Sequence, residues 1–474
     1  MKRLIYILMF SFLLSACAAD ARDISVLLAS NASQCKIGGT AYVIRVASGA
    51  VTPSITGSFS LIGAGSSLKA GAVKYALPVT VTSSNPIIID GVSYHGSIIF
   101  EASSSGFNIV NRLNVEDYLR GVLKDEMASG WPAEALKAQA VLARTYTLAS
   151  KKHGKYDVCA KVHCQSYGGT ANEAAALTAA VNATAGEILK YNGAPAEVCF
   201  YGDSGGYGTS AKSVWGKNVT YLQARPDPVR YTSPNSRWQT NVPMSQIESR
   251  LAAAGVSTGK ISSIAPYSRD ESGRVTQLVV NCKAGRKIIT GAKFRAALGA
   301  GVVKSTLFEF GQPTPYTPST VSVPTSQRSI QTSQTVQTKS MNVDRSTMPN
   351  GSDLDKLYWM QRNGVFTLQE LVSMIGKERD YPKFVAEGEA RMKGKKTVVV
   401  QQPTTTVQTT VQSVASGAPR LSMRAASGSS VTISGRGSGH GVGMPQWTAK
   451  AMAEAGWNYR QILEYYFHGT TLGQ

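Results

Sequence analysis

Between Ile24 and Asn111 the chain consists of short apolar runs separated by glycine and polar residues. The runs are rich in valine, isoleucine, serine and threonine, a composition that favours half-buried strands. They include SVLLAS, AYVIRVAS, PVTVTS, NPIIID and GSIIFEAS. We therefore expect a β-rich N-terminal domain over residues 20–111.

After residue 112 the pattern becomes helical. Asn114 is a good N-cap residue, and Asp117 stands three residues on, where an acid can complete a capping box. This helix should end before Ser129-Gly130. Pro132 then begins a longer helix, because proline is favoured at the first helical position.

The longer helix, WPAEALKAQAVLARTYTLAS, carries one narrow polar stripe on an otherwise apolar surface, as a mostly buried helix does. The stripe consists of Glu134, Lys137, Arg144 and Thr145. Gln139 lies inside the apolar arc, between Ala135 and Ala143. Since a buried amide is costly unless other polar groups bond to it, we expect a polar site beside this helix.

The remaining chain alternates helical and strand patterns. Helices are expected at residues 172–183, MSQIESRLAAAG and TGAKFRAALG, and strands at GEILKYNGAPAEVCFYG, RVTQLVVNC and STLFEFG. Pro445 begins a helix after a glycine-rich loop, and Asn458 caps a final one. These elements predict an α+β fold, in which residues 112–311 and 421–474 form a mixed α/β core.

Residues 312–420 interrupt this core with segments rich in serine, threonine, glutamine and valine, which hold too little bulky apolar content for a core of their own. A small helical insertion is expected between them, over about residues 352–394. Strand patterns stand on both sides, so the whole region reads as an insertion between two core strands. A binding module and an inert spacer are both open interpretations.

The first 19 residues have the regions of an export signal: a basic start, an apolar run from Leu4 to Leu14, and small residues. LSAC resembles a bacterial lipoprotein box, in which Cys17 becomes the lipidated first residue. Ordinary cleavage after Ala18 or Ala19 is the alternative, and it would leave a soluble periplasmic protein. We expect a membrane-anchored lipoprotein that faces the periplasm or the cell wall.

The chain carries a formal charge of +20, which attracts polyanions of any kind. An exported protein meets the cell wall and anionic lipid rather than nucleic acid, so the export signal argues against a nucleic-acid partner.

One group of histidines and cysteines has the ligand types of a structural Zn²⁺ site. His153, Cys159, His163 and Cys164 follow the long helix, and two histidines with two thiolates would close a tetrahedral site. A Cys159–Cys164 disulfide is the alternative, because export favours oxidation. The cysteines after the signal are odd in number, so at least one is not paired within the chain. Neither interpretation implies metal catalysis.

Three segments, YLRGVLKDEM, WPAEALKAQA and ARTY, resemble the signature of the SpoIID/LytB family, the stage II sporulation protein D group of peptidoglycan lytic transglycosylases. Further similarity runs from about Ser93 to Phe310 and from Thr432 to the C-terminus. The resemblance implies that Glu126 is the catalytic acid and base, with Asp125 as the neighbour to exclude by mutation. One carboxyl group suffices where the muramyl C6 hydroxyl attacks, so no cofactor is needed for the chemistry.

The resemblance also implies supporting residues. Lys137 and Arg144 match the signature and would orient Glu126 or hold sugar oxygens, whereas an ordinary salt-bridged face with Glu134 is the alternative. In the glycine-rich motifs SGGYG and GSGHGVGMPQ the candidate contacts are Ser204, Gly205, His440 and Gln446, although tight turns would explain the glycines as well. The chain departs from the family pattern at Tyr201, Ser438 and Trp447, which bears on glycan preference.

Together with the export signal, the resemblance implies an exported lytic transglycosylase that acts on peptide-free glycan strands and leaves 1,6-anhydroMurNAc ends. The alternative is a non-catalytic wall-binding protein or a factor that stimulates a cell-wall amidase.

Overall fold

The computed structural model describes most of the chain: residues 22–38, 42–46, 49, 51–55, 59–64, 66–150, 153–314, 321–322, 348, 353, 356–357, 360, 365–366, 380–393, 414–415, 419 and 421–474. The export segment with Cys17 lies outside these residues. Two compact units are present: Met1–Val323 with Ser413–Gln474, and Pro324–Gln412.

The N-terminal part of the first unit is built of strands. They are β1 (Asp23–Ala32), β2 (Gln34–Gly38), β3 (Tyr42–Val46), β4 (Val51–Ile55), β5 (Phe59–Ala64), β6 (Ser67–Ala70), β7 (Val73–Ala76), β8 (Val79–Thr82), β9 (Ile87–Ile89), β10 (Val92–Tyr94), β11 (Ser97–Ser103) and β12 (Gly106–Asn114). β1 and β12 pair antiparallel, with Asp23 opposite Asn114, so the strand that leads into the first helix is held at its end. The predicted β-rich N-terminal region is confirmed.

Two helices follow, α1 (Val115–Glu126) and α2 (Ala133–Ala149). Asn114 caps α1 by accepting a hydrogen bond from the Glu116 backbone N–H at 2.8 Å. Asp117 does not complete a capping box; its carboxylate bonds instead to Arg120, one turn further along the same face, at 2.9 Å. Pro132 is the N-cap of α2 rather than its first residue.

The chain then builds the part of the core that carries the glycine motifs. Its elements are β13 (Val158–Cys159), a 3-10 turn (Gly169–Asn172), α3 (Ala175–Ala183), β14 (Ile188–Tyr191), β15 (Ala194–Pro195), β16 (Phe200–Tyr201), β17 (Tyr207–Gly208), α4 (Ala211–Trp215) and β18 (Arg225–Pro226). The predicted helix at residues 172–183 is thus a 3-10 turn followed by α3.

Most of the next elements contribute to a hydrophobic cluster that includes Phe294, Phe308 and Ile433 and is separate from the cluster around α1 and α2. The elements are β19 (Trp238–Pro243), α5 (Met244–Ala253), β20 (Ile261–Arg269), β21 (Val275–Cys282), β22 (Gly285–Thr290), α6 (Gly291–Leu298), β23 (Phe308–Phe310) and β24 (Val321–Ser322).

In the second unit the structure describes α7 (Tyr381–Lys393). Leu357, Met360 and Phe366 are buried, and the Arg391 guanidinium lies 4.6 Å from the centre of the Phe366 ring. Of the helical pattern LDKLYWMQRNG the structure describes only Lys356, Leu357 and Met360, while the pattern TLQELVSMIGKE and most of the flanking linkers lie outside the described residues.

The first unit closes with β25 (Val414–Ala415), β26 (Ser430–Gly435), β27 (Met444–Pro445), α8 (Gln446–Glu454), α9 (Tyr459–Tyr466) and β28 (Thr471–Gly473). Since β23 pairs antiparallel with β26, residues 312–420 connect two neighbouring strands. Among the described residues, no helix is long and apolar enough to cross a membrane.

The described strands form two large sheets, in the orders β13-β1-β12-β11-β8-β3-β4 and β10-β9-β2-β5-β6-β7. Smaller sheets have the orders β15-β14-β28, β19-β26-β23, β20-β21-β22, β16-β27, β17-β18 and β24-β25. Helix α2 packs against α1, α3, α8 and α9 and is almost wholly buried, as its narrow polar stripe predicts. Helices and strands are thus both abundant, and the α+β class is confirmed.

Candidate active site

The Glu126 carboxyl group lies at the meeting point of the two halves of the core. It is the last residue of α1, it is half-buried, and its Oε2 accepts a hydrogen bond from Nε2 of Gln446 at 3.1 Å. Gln446 is the first residue of α8. Asp125 is exposed and accepts a hydrogen bond from Asn172 at 2.9 Å, so it does not share this environment.

Burial raises the pKa of Glu126, the hydrogen bond from Gln446 opposes that rise, and the charge of Asp125 adds to it. The position at the C-terminal end of α1 also disfavours a negative charge, because unpaired carbonyl groups point out of that end. The carboxyl group therefore keeps its proton to a higher pH than a solvated glutamate does, which suits a general acid.

The glycine-rich loop before α8 brings Gln446 to this place. β27 pairs in parallel with β16, and the backbone N–H of Trp447 donates to Gly202 O at 3.0 Å. A Cβ on Gly443, whose φ is +78°, would lie 2.1 Å from Cys199 O. Only glycine fits at such an approach, so this glycine is needed to seat the loop on the segment around β16.

Ser204 of the SGG loop is buried and His440 is half-buried, and both make hydrogen bonds that support the structure. Ser204 is fully buried and its hydroxyl donates to Asp227, while a Cβ on Gly205 would lie 2.8 Å from Arg436 Cβ. His440 bonds through Nε2 to Phe200 O at 3.0 Å, and its Nδ1 accepts from Val442 N at 3.2 Å. Burial lowers the pKa of His440 to about 4, so the imidazole is neutral and pins the loop.

Lys137 lies on α2 beside the start of α9, with its ammonium group 5.6 Å from the centre of the Tyr459 ring. Its ammonium bonds to Glu134 at 2.6 Å, and Glu134 in turn accepts from the Tyr459 backbone N–H at 2.8 Å. This is the salt-bridged arrangement with Glu134 that the sequence left open, and a glycan contact for Lys137 stays a prediction.

Arg144 is 0% exposed and bonds to both carboxylate oxygens of Glu116, at 2.8 and 2.6 Å, and to the Glu187 carbonyl at 2.9 Å. Glu116 and Glu126 stand at opposite ends of α1, about 15 Å apart at the rise of an α-helix. The resemblance implied that Arg144 would orient Glu126 or hold sugar oxygens. The structure does not bring Arg144 to the Glu126 carboxyl group, because Glu116 and the Val181 carbonyl of α3 bind the guanidinium at the other end of α1.

Gln139 is fully buried, and neither of its side-chain polar atoms has a hydrogen-bond partner among the described residues. We expected other polar groups to form hydrogen bonds with the Gln139 amide, and among the described residues none does.

Two tryptophans stand close in sequence to the acid and to its hydrogen-bond partner, Trp131 to Glu126 and Trp447 to Gln446. Trp131 follows α1 by five residues, Trp447 follows Gln446 directly, and their rings meet edge to face at 5.0 Å. Both are half-buried, and flat aromatic faces of this kind are suited to pack on sugar rings. Trp131 was within the recognised signature, but its spatial neighbour could not be foreseen from positions more than 300 residues apart.

The sequence profile of the family described as stage II sporulation protein matches residues 103–191, which include α1, Glu126 and α2. The chain carries a domain of the SpoIID/LytB family. The resemblance seen in the segments YLRGVLKDEM, WPAEALKAQA and ARTY is confirmed.

Three curated proteins are similar to this SpoIID-domain chain. An uncharacterized protein of Brachyspira hyodysenteriae is 34% identical over 227 residues, covering 46% of this chain and 60% of its own length. The amidase enhancer of Bacillus subtilis is 25% identical, covering 83% of this chain and 46% of its own length. Stage II sporulation protein D of the same organism is 28% identical, covering 40% and 59%. The chain thus spans about half to three fifths of the length of these relatives.

The ligand atoms of His153, Cys159, His163 and Cys164 lie within 4.8 Å of one another in the SpoIID domain, as the four corners of one tetrahedral ion would. The structure contains no disulfide between the two cysteines, and Cys159 lies on β13, where it pairs with Leu27 on β1. The donor set therefore fits a closed structural Zn²⁺ site that would join the end of α2 to the N-terminal sheet.

Proposed function

We propose that the protein is an exported peptidoglycan lytic transglycosylase that cleaves MurNAc–GlcNAc bonds of peptide-free glycan strands. The observation that carries this proposal is the half-buried Glu126 carboxyl group, with its raised pKa, bonded to Gln446 at the start of α8. The SpoIID family match and the names of the relatives support a cell-wall-related role.

Glu126 performs both proton transfers. Its protonated carboxyl group gives the proton to the leaving GlcNAc oxygen as the bond from that oxygen to the MurNAc C1 breaks. The resulting carboxylate then takes the proton of the MurNAc C6 hydroxyl, whose oxygen forms a new bond to C1. Glu126 ends protonated, no water is consumed, and the product carries a 1,6-anhydro end.

Gln446 assists by holding one carboxyl oxygen of Glu126, so that the other oxygen faces the sugar bridge. Trp131 and Trp447 supply aromatic faces beside the acid. The formal charge of +20 attracts strands that bear lactyl carboxylates. A lipid anchor on Cys17 would hold the enzyme to a membrane beside the wall. Zn²⁺ on His153, Cys159, His163 and Cys164 would serve stability and not the chemistry.

Stimulation of a cell-wall amidase is the second candidate function, because the relative named amidase enhancer matches 83% of this chain. In that case the protein binds the wall or the amidase without cutting glycan.

The test is to incubate the purified protein, the Glu126→Gln variant and the Asp125→Asn control with denuded glycan strands, followed by mass spectrometry. We expect anhydro-ended fragments from the wild type and from Asp125→Asn, and none from Glu126→Gln. The second function would be favoured if the wild type produces no glycan fragments and the Glu126→Gln variant still stimulates a cell-wall amidase.

A further inference from the structure

A network of buried polar groups lies directly beneath the first turn of α8. The carboxylates of Asp203 and Asp227 are 1% and 5% exposed. Asp203 accepts hydrogen bonds from Tyr231 at 2.9 Å and from the Ser233 hydroxyl. Asp227 accepts from the Ser204 hydroxyl and, at 3.2 Å, from Thr448.

While both carboxyl groups are ionised, the network holds too few hydroxyl hydrogens to place one in each of its oxygen–oxygen contacts. Ser204 and Thr448 each donate their one hydrogen to Asp227, and Tyr231 donates its own to Asp203. The Tyr231 oxygen nevertheless lies 3.1 Å from Ser204 Oγ and 3.0 Å from Thr448 Oγ1. A proton on Asp227 supplies one of the two missing hydrogens, because Asp227 then donates to Thr448, and Thr448 is free to donate to Tyr231.

Thr448 links the network to the candidate catalytic acid. It is the third residue of α8, it is fully buried, and Gln446 at the start of the same turn donates to Glu126 at 3.1 Å. Trp447, between them, is anchored through its backbone to Gly202. A shift of Thr448 therefore moves the Gln446 amide relative to the acid.

We propose that Asp227 is a positioning residue, which in its protonated form donates to Thr448, fixes the first turn of α8 and keeps Gln446 on Glu126. The inference rests on the proposed function for its effect on catalysis, whereas the protonation of Asp227 can be measured without any substrate.

The burial of Asp227 and the charge of its neighbour Asp203 also favour the protonated form of Asp227. Burial raises the pKa of Asp227 to about 7, the neighbouring Asp203 adds to the rise, and the hydrogen bonds from Ser204, Thr448 and Tyr231 oppose it. The other titratable or charged groups that face the network are Tyr201, Tyr207, Arg225, Arg274, Tyr465 and Tyr466. Burial raises the pKa of Tyr201, Tyr231 and Tyr466, so these phenols stay neutral.

The experiment is a carbon-13 NMR titration of the carboxyl groups in the full chain. Loss of one signal in Asp227→Asn assigns Asp227, which we expect to titrate near pH 7. In Thr448→Val, which keeps the shape of the side chain, we expect the Glu126 signal to titrate at higher pH, because Gln446 is no longer fixed. Asp227→Asn retains a donor and should leave the Glu126 titration unchanged below pH 7. Glu271→Gln is the matched carboxyl-to-amide control, since that acid bonds to Ser210 and Ser213 instead.

With denuded glycan, Thr448→Val should lower turnover by one to two orders of magnitude, the effect of a small displacement at a catalytic group. Titration of Asp227 in the ordinary aspartate range would overturn the inference, as would an unchanged Glu126 titration in Thr448→Val. If the wild type cuts no glycan, the proposed function fails, while the two titrations still decide this inference.

Discussion

The side-chain amide of Gln446 donates a hydrogen bond to the Glu126 carboxyl group, although 320 residues separate the two along the chain. The contact joins the end of α1, within the SpoIID match, to the start of α8, which lies beyond the insertion. The candidate acid is therefore completed only when both ends of the core have come together.

Replacement of Gln446 by methionine should raise the pKa of Glu126 further. The amide stabilises the ionised form, and its removal leaves the desolvation of the acid unopposed. Because the reaction needs the protonated acid, the loss of activity at high pH should move to higher pH. The measurement is the pH dependence of kcat/KM on denuded glycan, with Glu271→Gln as the control. If activity is lost at the same high pH in Gln446→Met and in the wild type, the Gln446 hydrogen bond does not affect the pKa of Glu126.

Replacement of Arg144 by methionine should destabilise the fold and leave the Glu126 titration untouched. The guanidinium is fully buried against Glu116, and removal of one partner from a buried ion pair costs about 3 kcal/mol. The check is urea unfolding of Arg144→Met beside Lys155→Met, whose exposed pair with Glu101 should contribute less than about 1 kcal/mol. Wild-type stability combined with a raised KM would instead support the glycan contact that the signature suggested.

Replacement of Gln139 by methionine should leave the free energy of unfolding unchanged or raise it by about 1 kcal/mol, because the variant removes buried polar atoms that have no partner. Gln165→Met is the matched control. Its Oε1 accepts from Thr147 at 2.9 Å, so that variant should lose about 1 kcal/mol. A clear loss of stability in Gln139→Met would mean that the amide has a partner after all.

Binding of Zn²⁺ by the His153, Cys159, His163 and Cys164 group should make stability depend on the metal. We expect the purified chain to contain Zn²⁺ and a chelator to lower its Tm, because a structural ion stabilises the folded state that binds it. At temperatures below its lowered Tm, the metal-free protein should still cleave glycan. A metal-free protein with a Cys159–Cys164 disulfide by mass spectrometry would contradict this prediction.

The pH dependence of stability provides a further test of the Asp227 network. The pKa of Asp227 is raised to about 7 in the folded chain, so the protonated form favours the fold. This contribution is complete below the unfolded pKa of about 3.9 and is lost as the pH rises to about 7. Urea unfolding at a series of pH values should therefore give a flatter profile for Asp227→Asn than for the wild type. Parallel profiles would contradict the assignment.

The fold class and the helix that ends in Glu126 were predictable because they depend on local patterns. The Asn114 cap, the buried surface of α2 and the Asn458 cap all follow from neighbours within a turn, whereas the capping box expected from Asp117 does not form. The proline positions were wrong by one residue, since Pro132 and Pro445 are N-caps rather than first helical residues.

The partners of the site residues were not predictable, because they come from distant segments. Arg144 lies on the predicted stripe, yet its carboxylate partner is Glu116 on another helix. Asp227 and Tyr231 lie in a loop without a recognisable motif, and only the fold brings them beneath Thr448. Periodicity indicates which face of a helix is polar, but not which groups meet it.

The central claim is that Glu126 alone moves the proton while the sugar's own C6 hydroxyl displaces the leaving group. The most direct measurement is digestion of denuded glycan in water enriched in oxygen-18, followed by mass spectrometry of the new ends. The account predicts anhydro ends without the heavy isotope from the wild type and no new ends from Glu126→Gln. Reducing ends that carry oxygen-18, or equal cleavage by Glu126→Gln, would contradict it.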